Sequence, residues 1–201
     1  VSAPTRSRLA PDERRDQLLE LGVSLLADRP LEALTIDLLA EQGGISRGLL
    51  YHYFGSKQAF HLAVVRRAAD DLIARTAPPA HGDPLERLHT GTVAYVDYVL
   101  ASYDGYVSLV RGAAGGNAEL REIYEEVRAA LSDRIFDEDP DGLLVTDTPA
   151  HRLLVRGWTA MVEELVLAWA ADERAGRARL TRAELDGLVV GALPALLAAA
   201  P

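Results

Sequence analysis

The chain has 201 residues, 49% of them hydrophobic and 25% charged, with 21 Lys/Arg against 30 Asp/Glu for a net charge of -9; this mix belongs to a folded globular protein and excludes a disordered one. It contains no cysteine, which excludes disulfides, thiolate nucleophiles and zinc sites built on sulfur. No apolar run approaches the roughly 18 residues of a membrane span, and the opening VSAPTRSRLA lacks the apolar centre of a signal peptide, so a soluble, cytoplasmic protein is expected.

Almost every long segment repeats its apolar residues with helical period, which predicts an all-α fold of about nine helices. Pro11 suits a first helical turn; Leu18, Leu21, Gly22 and Leu25 follow at spacings of three and four, and Asp28-Arg29-Pro30 ends the run. Thr35 has the chemistry of an N-cap for a short second helix with Ile36, Leu39 and Ala40 on its apolar face, stopped at Gly43-Gly44. Ser46 caps a third, with Ile45 and Leu50 at the positions of a hydrophobic staple and Phe54 extending the buried face. Gly55-Ser56 interrupts the chain, and a longer helix from Lys57 carries Phe60, Val64 and Ala68 until Pro78-Pro79.

Beyond the two prolines the helices lengthen. Asp83-Pro84-Leu85-Glu86 starts one bearing Leu88, Val93, Val96 and Val99; Tyr103 to Arg111 forms another; Asn117 caps a third through about Phe136. The acidic loop DEDPDG separates these from a helix of residues 149 to 171 with Trp158, Met161, Val162, Leu165 and Trp169. Thr181-Arg-Ala-Glu184 is a capping box opening a last helix, 181 to 196, which Pro194 should kink or end.

The excess of acid is not spread evenly. Residues 1 to 75 hold ten basic and ten acidic side chains, and no acid falls between Glu41 and Asp70, while Arg47, Lys57, Arg66 and Arg67 do. This predicts a local basic surface on an acidic body. In the same region two short helices are joined through a glycine turn, the sequence form of a helix-turn-helix, residues 35–54. A wheel at about 100° per residue sets Leu50 and Phe54 inward and Gly48 and His52 outward, with Arg47 and Tyr51 on one flank and Leu49 and Tyr53 on the other. Gly48 would let a duplex approach the helix backbone, Arg47 could donate to a guanine edge or phosphate, Tyr51 and His52 could reach phosphate oxygens, and Lys57 adds charge at a helix N-terminus. Plainer alternatives stay open: Tyr51 and Tyr53 as half-buried packing, His52 as a surface residue without a role, and Arg6 and Arg8 as a frayed tail rather than a minor-groove arm.

TIDLLAEQGGISRGLLYHYFGSKQAFHLAV, residues 35 to 65, resembles the DNA-binding segment of the TetR family of bacterial transcriptional regulators. The likeness is carried by Thr35, the Gly-Ile-Ser turn, Leu50-Tyr51, Tyr53-Phe54 and Lys57. It implies an N-terminal three-helix DNA-binding domain (12–72) followed by a larger helical ligand-binding and dimerisation domain (73–201). By that resemblance Thr35, Arg47, Gly48, Tyr51, His52 and Lys57 take DNA-contact roles while Leu50 and Phe54 are core; with Ser46, Leu49 and Tyr53 of the same segment they make up the expected DNA-binding set. Leu49 departs from the family's frequent Thr or Ser, so an apolar contact, such as a thymine methyl, replaces a hydroxyl.

The expected function is that of a repressor which binds a palindromic operator as a homodimer and is released by a small-molecule effector. Half-sites about 34 Å apart require a two-fold protein, and the last two long helices are the expected interface, with burial inside one subunit as the rival reading. Tyr95, Tyr98, Tyr106, Arg111, Trp158 and Met161 are candidates for the effector pocket. The alternatives are a helical protein-interaction module that never touches DNA and, last, an all-helical enzyme. His81, His89 and His151 show no metal-ligand spacing, GAAGG at 112 to 116 lacks the form of a nucleotide cradle, and the carboxylates of LREIYEEV read as a solvated face; no metal or cofactor is expected.

Overall fold

The computed structural model describes residues 10–199, which form nine α-helices and one 3₁₀ turn and include no strand. Arg6 and Arg8 lie outside the described residues. The helices are α1 (Pro11–Ala27), α2 (Ile36–Gly43), α3 (Arg47–Phe54), α4 (Lys57–Arg75), α5 (Pro84–Ala101), α6 (Tyr103–Ala114), α7 (Ala118–Asp137), α8 (Pro149–Arg174) and α9 (Arg182–Ala198). Seven begin with a side-chain cap, from Thr35, Ser46, Ser56, Asp83, Asn117, Thr148 and Thr181, each contributing about 1 kcal/mol by satisfying an otherwise orphaned backbone N–H.

Helices α2 and α3 are joined by residues 44–46. Gly44 takes the left-handed conformation (φ 61°) and its N–H closes α2, while Ser46 Oγ accepts from Leu49 N at 3.2 Å to open α3. Leu39, Leu50, Phe54 and Phe60 are buried together with Leu18 and Leu19 of α1, so α1 and α4 hold the two short helices from behind. Burial of each such side chain contributes about 1.5–3 kcal/mol. The same apolar cluster continues through Val96 and Val99 to Val155, Val166, Leu185 and Leu193.

Several joints tie α1–α4 to the remaining helices. A methyl on Gly105 of α6 would lie 2.4 Å from the Leu26 carbonyl oxygen of α1, so the two backbones touch there. Leu31 N donates to Ser108 Oγ at 3.1 Å, Tyr98 Oη to Ala68 O at 2.8 Å, and Arg134 Nη2 to Ile73 O at 2.7 Å. On the outside Gln58 meets Glu119 and Arg66 meets Glu126.

Some expectations shift. The buried face of α1 runs through Leu18, Leu19, Gly22 and Leu26, with Leu21 and Leu25 only partly buried, because α4 and α6 cover α1 from different sides. On α4 Val65, Ala69 and Leu72 are buried and Ala68 only partly. Residues Leu31–Ala33 make a 3₁₀ turn that apolar periodicity does not reveal. Pro194 does not end α9, which runs through it to Ala198; Val189, Val190 and Leu193 hold that turn against the core whatever hydrogen bond the proline removes. Within the acidic loop Asp139 is buried and accepts from the backbone N–H groups of Leu143, Leu144 and Val145.

Candidate functional site

Helix α3 is anchored by one face and open on the other. Leu50 and Phe54 are buried, while Arg47, Gly48, Tyr51 and His52 are exposed and Leu49 and Tyr53 are half-buried. Tyr51 is 49% exposed. The His52 and Tyr53 rings meet edge to face at 5.5 Å. Gly48 has ordinary helical geometry, and a methyl there would meet only Ser46 Oγ at 3.9 Å. Nothing among the described residues requires a glycine at this position, where it costs roughly 1 kcal/mol of helix stability relative to alanine. Thr35 Oγ1 and Ser46 Oγ accept from Leu38 N and Leu49 N, which leaves each hydroxyl proton free to donate outward. Lys57 is the first residue of α4, half-buried, beside the same face.

The basic surface expected from the acid-free stretch is largely neutralised by residues from elsewhere in the chain. Arg47 pairs with Asp37 of α2 at 2.5 Å, Arg66 with Glu126 of α7 at 2.6 Å, and Arg67 lies 3.6 Å from Glu20 of α1. A gap in acids along the sequence therefore does not become a gap in space, because helices α1, α2 and α7 bring their carboxylates to it. The Arg47–Asp37 pair is exposed on both sides and is worth less than about 1 kcal/mol, so it opens readily.

On the other side of α4 lies a cavity of about 110 Å³ bounded by α5, α6, α7 and α8. Of the six candidates for the effector pocket, Tyr95, Tyr106 and Trp158 line this cavity. Tyr98, Arg111 and Met161 fall outside its lining. Tyr98 turns its hydroxyl to α4, where burial pushes that group up to about 12; Arg111 is exposed, and Met161 rests partly buried against the core. The polar lining not singled out from the sequence includes Tyr124, Arg128, Arg134, Glu163, Arg87 and Thr159, with Glu138 and Asp139 at its edge. Glu163 left one legible signal: it sits on the apolar stripe of α8 with Val155, Val162 and Val166.

Hydroxyls organise the cavity's inner end. Tyr106 Oη donates to Glu163 Oε2 at 3.1 Å and Tyr124 Oη to Glu163 Oε1 at 2.8 Å. Tyr95 Oη lies 2.8 Å from Tyr106 Oη and supplies the proton there, since that of Tyr106 is committed. Burial, then the neighbouring carboxylate, pushes Tyr124 up to about 12, and burial first raises Tyr95 and Tyr106 as well. All three stay protonated donors. Arg128 reaches Tyr124 Oη at 3.5 Å and lies over its ring. At the outer end Arg87 pairs with Glu138, and Arg134 donates to Thr76 Oγ1 and Ile73 O.

Among the described residues no group of three or more His, Asp or Glu is arranged to hold a metal ion, and no helix is long and apolar enough to cross a membrane. His151 sits at the start of α8 with Nδ1 2.7 Å from Thr146 O.

Comparison with known proteins agrees with both halves of this architecture. Residues 18–64 match the family described as bacterial regulatory proteins, tetR family, and residues 84–191 match the tetracyclin repressor-like C-terminal domain. The HTH-type transcriptional activator FasR of Mycolicibacterium smegmatis is 28% identical over 174 residues, 84% of this chain and 77% of that one. The HTH-type transcriptional repressor KstR2 of the same species is 43% identical over 65 residues, 32% of each chain. A tetR-family transcriptional regulator from Streptomyces coelicolor superposes with a TM-score of 0.82 at 34% identity, covering 94% of this chain and 82% of its own. With its helix-turn-helix segment, its C-terminal helices and its whole-chain fold all matched, the chain belongs to the TetR family of DNA-binding transcriptional regulators.

Proposed function

We propose that the protein is a cytoplasmic repressor that binds a two-fold operator as a homodimer and leaves it when a small molecule enters the cavity. The observation that carries the DNA contact is the open face of α3: exposed Arg47, Gly48, Tyr51 and His52 on a helix fixed by Leu50 and Phe54, with a glycine the fold itself does not need. In this reading Gly48 admits the duplex to the helix backbone and Arg47 leaves Asp37 for a phosphate or a guanine edge. Thr35, Ser46, Tyr51, His52, Tyr53 and Lys57 position the backbone of the duplex, and Leu49 offers an apolar contact. Residues 12–72 are then the DNA-binding unit and 73–201 the effector-binding and dimerisation unit, with the boundary inside α4.

Dimerisation through α8 and α9 is supported by their outward faces. Leu153 is 72% exposed and Leu188 50%, and on the same two helices a methyl on Gly157, Gly187 or Gly191 would meet no described residue within 4 Å. Apolar side chains flanked by unobstructed glycines suit a second helix pair at close range. Repression is the outcome where the operator overlaps the promoter, since a protein seated there blocks polymerase. FasR is named an activator and KstR2 a repressor, so the sign is tested directly: deletion of the gene should raise transcription from its operator, and a fall would make the protein an activator.

The DNA reading is tested with fluorescein-labelled palindromes taken from upstream of the protein's own gene. Arg47→Ala should weaken binding and lower the slope of log affinity against log salt by about one; Tyr51→Phe should weaken it with the slope kept. Unchanged affinity in both variants would leave α3 without a role on DNA.

A further inference from the structure

The inner end of the cavity holds a buried acid with no counter-charge. Glu163 is 9% exposed, and its two oxygens accept from the hydroxyls of Tyr106 and Tyr124. The ion pairs among the described residues do not include it. Arg128 approaches the same Tyr124 hydroxyl that donates to the acid, 3.5 Å from that oxygen and with its guanidinium 5.5 Å from the ring centre, without pairing with the carboxylate itself. Two neutral donors offset only part of the cost of taking a carboxylate out of water, and the rest calls for an opposite charge.

Around the acid stand the rings of Tyr95, Tyr106, Tyr124 and Trp158. Aromatic faces beside an acid attract a positive charge more than any neutral group, and hold it best where water is excluded. The cations at the outer end are already engaged: Arg87 with Glu138, Arg134 with Thr76 and the end of α4. Arg128, the third cation of the lining, is in no ion pair among the described residues and lies over the Tyr124 ring, so an acidic ligand would be drawn to Arg128 and a basic one to Glu163, and the two are compared directly in the test.

We propose that the cavity takes an organic cation, an amphipathic molecule whose protonated amine or quaternary ammonium sits against Glu163 among the Tyr95, Tyr106, Tyr124 and Trp158 rings, with its apolar remainder along Leu131 and Ile135. The ligand class rests on the reading of this cavity as the effector site, and the experiment separates the two. Three probes of matched size are titrated by calorimetry into the full chain: phenylpropyl-trimethylammonium, its uncharged isostere with carbon in place of nitrogen, and 4-phenylbutyrate. Quenching of Trp158 fluorescence in a Trp169→Phe background reports that the probe is in the cavity. The ammonium should bind about tenfold or more tightly than the isostere, and the preference should vanish in Glu163→Gln, which keeps the side chain's size and an acceptor for tyrosine.

Tyr124→Phe supplies a second arm should Glu163→Gln fail to fold. Removing one donor leaves the carboxylate less satisfied, so this variant should bind the ammonium more tightly than the parent. The proposal is overturned if the isostere or the phenylbutyrate binds as tightly as the ammonium, if the preference survives Glu163→Gln, or if no ammonium binding or Trp158 quenching is seen. Operator affinity is recorded in parallel: a cation that fills the cavity without changing it would sink the effector reading and leave the ligand class standing.

Discussion

Asp37 stands 2.5 Å from Arg47 on the face proposed to meet DNA, and no sequence pattern ties the two, because they belong to different helices. An exposed pair of this kind contributes little to stability, but its carboxylate also repels phosphate and holds the arginine back. Asp37→Asn should therefore raise operator affinity about two- to fivefold at fixed salt, measured by fluorescence anisotropy; unchanged or weaker binding would remove Arg47 from the phosphate contacts. The caps belong to the same scale. Thr35, Ser46 and Thr181 were each readable as caps because a hydroxyl before an apolar period has one local job. Tyr98 and Arg111 were not readable as lying outside the cavity, since the direction of a side chain depends on which neighbour its helix meets.

At the scale of elements α4 connects the two ends of the molecule, and His61 pins its first half to the start of the helix-turn-helix. Its Nε2–H donates to Leu34 O at 2.8 Å. Burial lowers the pKa of the ring below the ordinary histidine value, Lys57 adds to the lowering, and the Leu34 carbonyl and Glu32 oppose it. The unfolded chain thus holds the proton more tightly than the folded one, so this contribution to stability is complete above about pH 6.5 and is lost as pH falls from there through the lower folded value. Urea midpoints taken at about pH 7.5 and about pH 5.5 should differ less for His61→Gln than for the parent; equal differences would show that His61 has no part in the loss. Helix α6 meets α1 where Gly105 touches the Leu26 carbonyl. Gly105→Ala must push the two backbones apart and should cost about 1–3 kcal/mol in urea unfolding; a variant as stable as the parent would mean that the α1–α6 contact yields freely.

For the whole molecule, in the dimer proposed above, the deciding quantity is the spacing of two α3 helices, which a single chain does not have. Leu188→Glu places a charge on the exposed face of α9 without entering the core, since Leu185, Val189 and Leu193 are the buried residues of that helix. Sedimentation should show the variant as a monomer, with operator affinity down more than about tenfold and far-UV circular dichroism unchanged. A variant that stays dimeric would move the interface to another surface. The cavity is walled by α5, α6, α7 and α8 and reaches the end of α4 at Thr76, so a ligand that changes how α7 and α8 sit against α4 would act on that spacing.

What the residues alone determined is local: the helices and most of their ends, the glycine turn, and the inward placing of Leu50 and Phe54, all of which follow from periodicity and caps acting within a few positions. The family resemblance of residues 35 to 65 was legible for the same reason, being carried by a contiguous segment. Only the tertiary structure decided what came from different helices: Asp37, Glu20 and Glu126 against the arginines, the turn of α1 toward Leu19 and Leu26, the passage of α9 through Pro194, and the meeting of Tyr106, Tyr124 and Glu163. Charge and hydrogen bonding act through space, and residues 39 and 57 positions apart along the chain became neighbours only when α6, α7 and α8 packed.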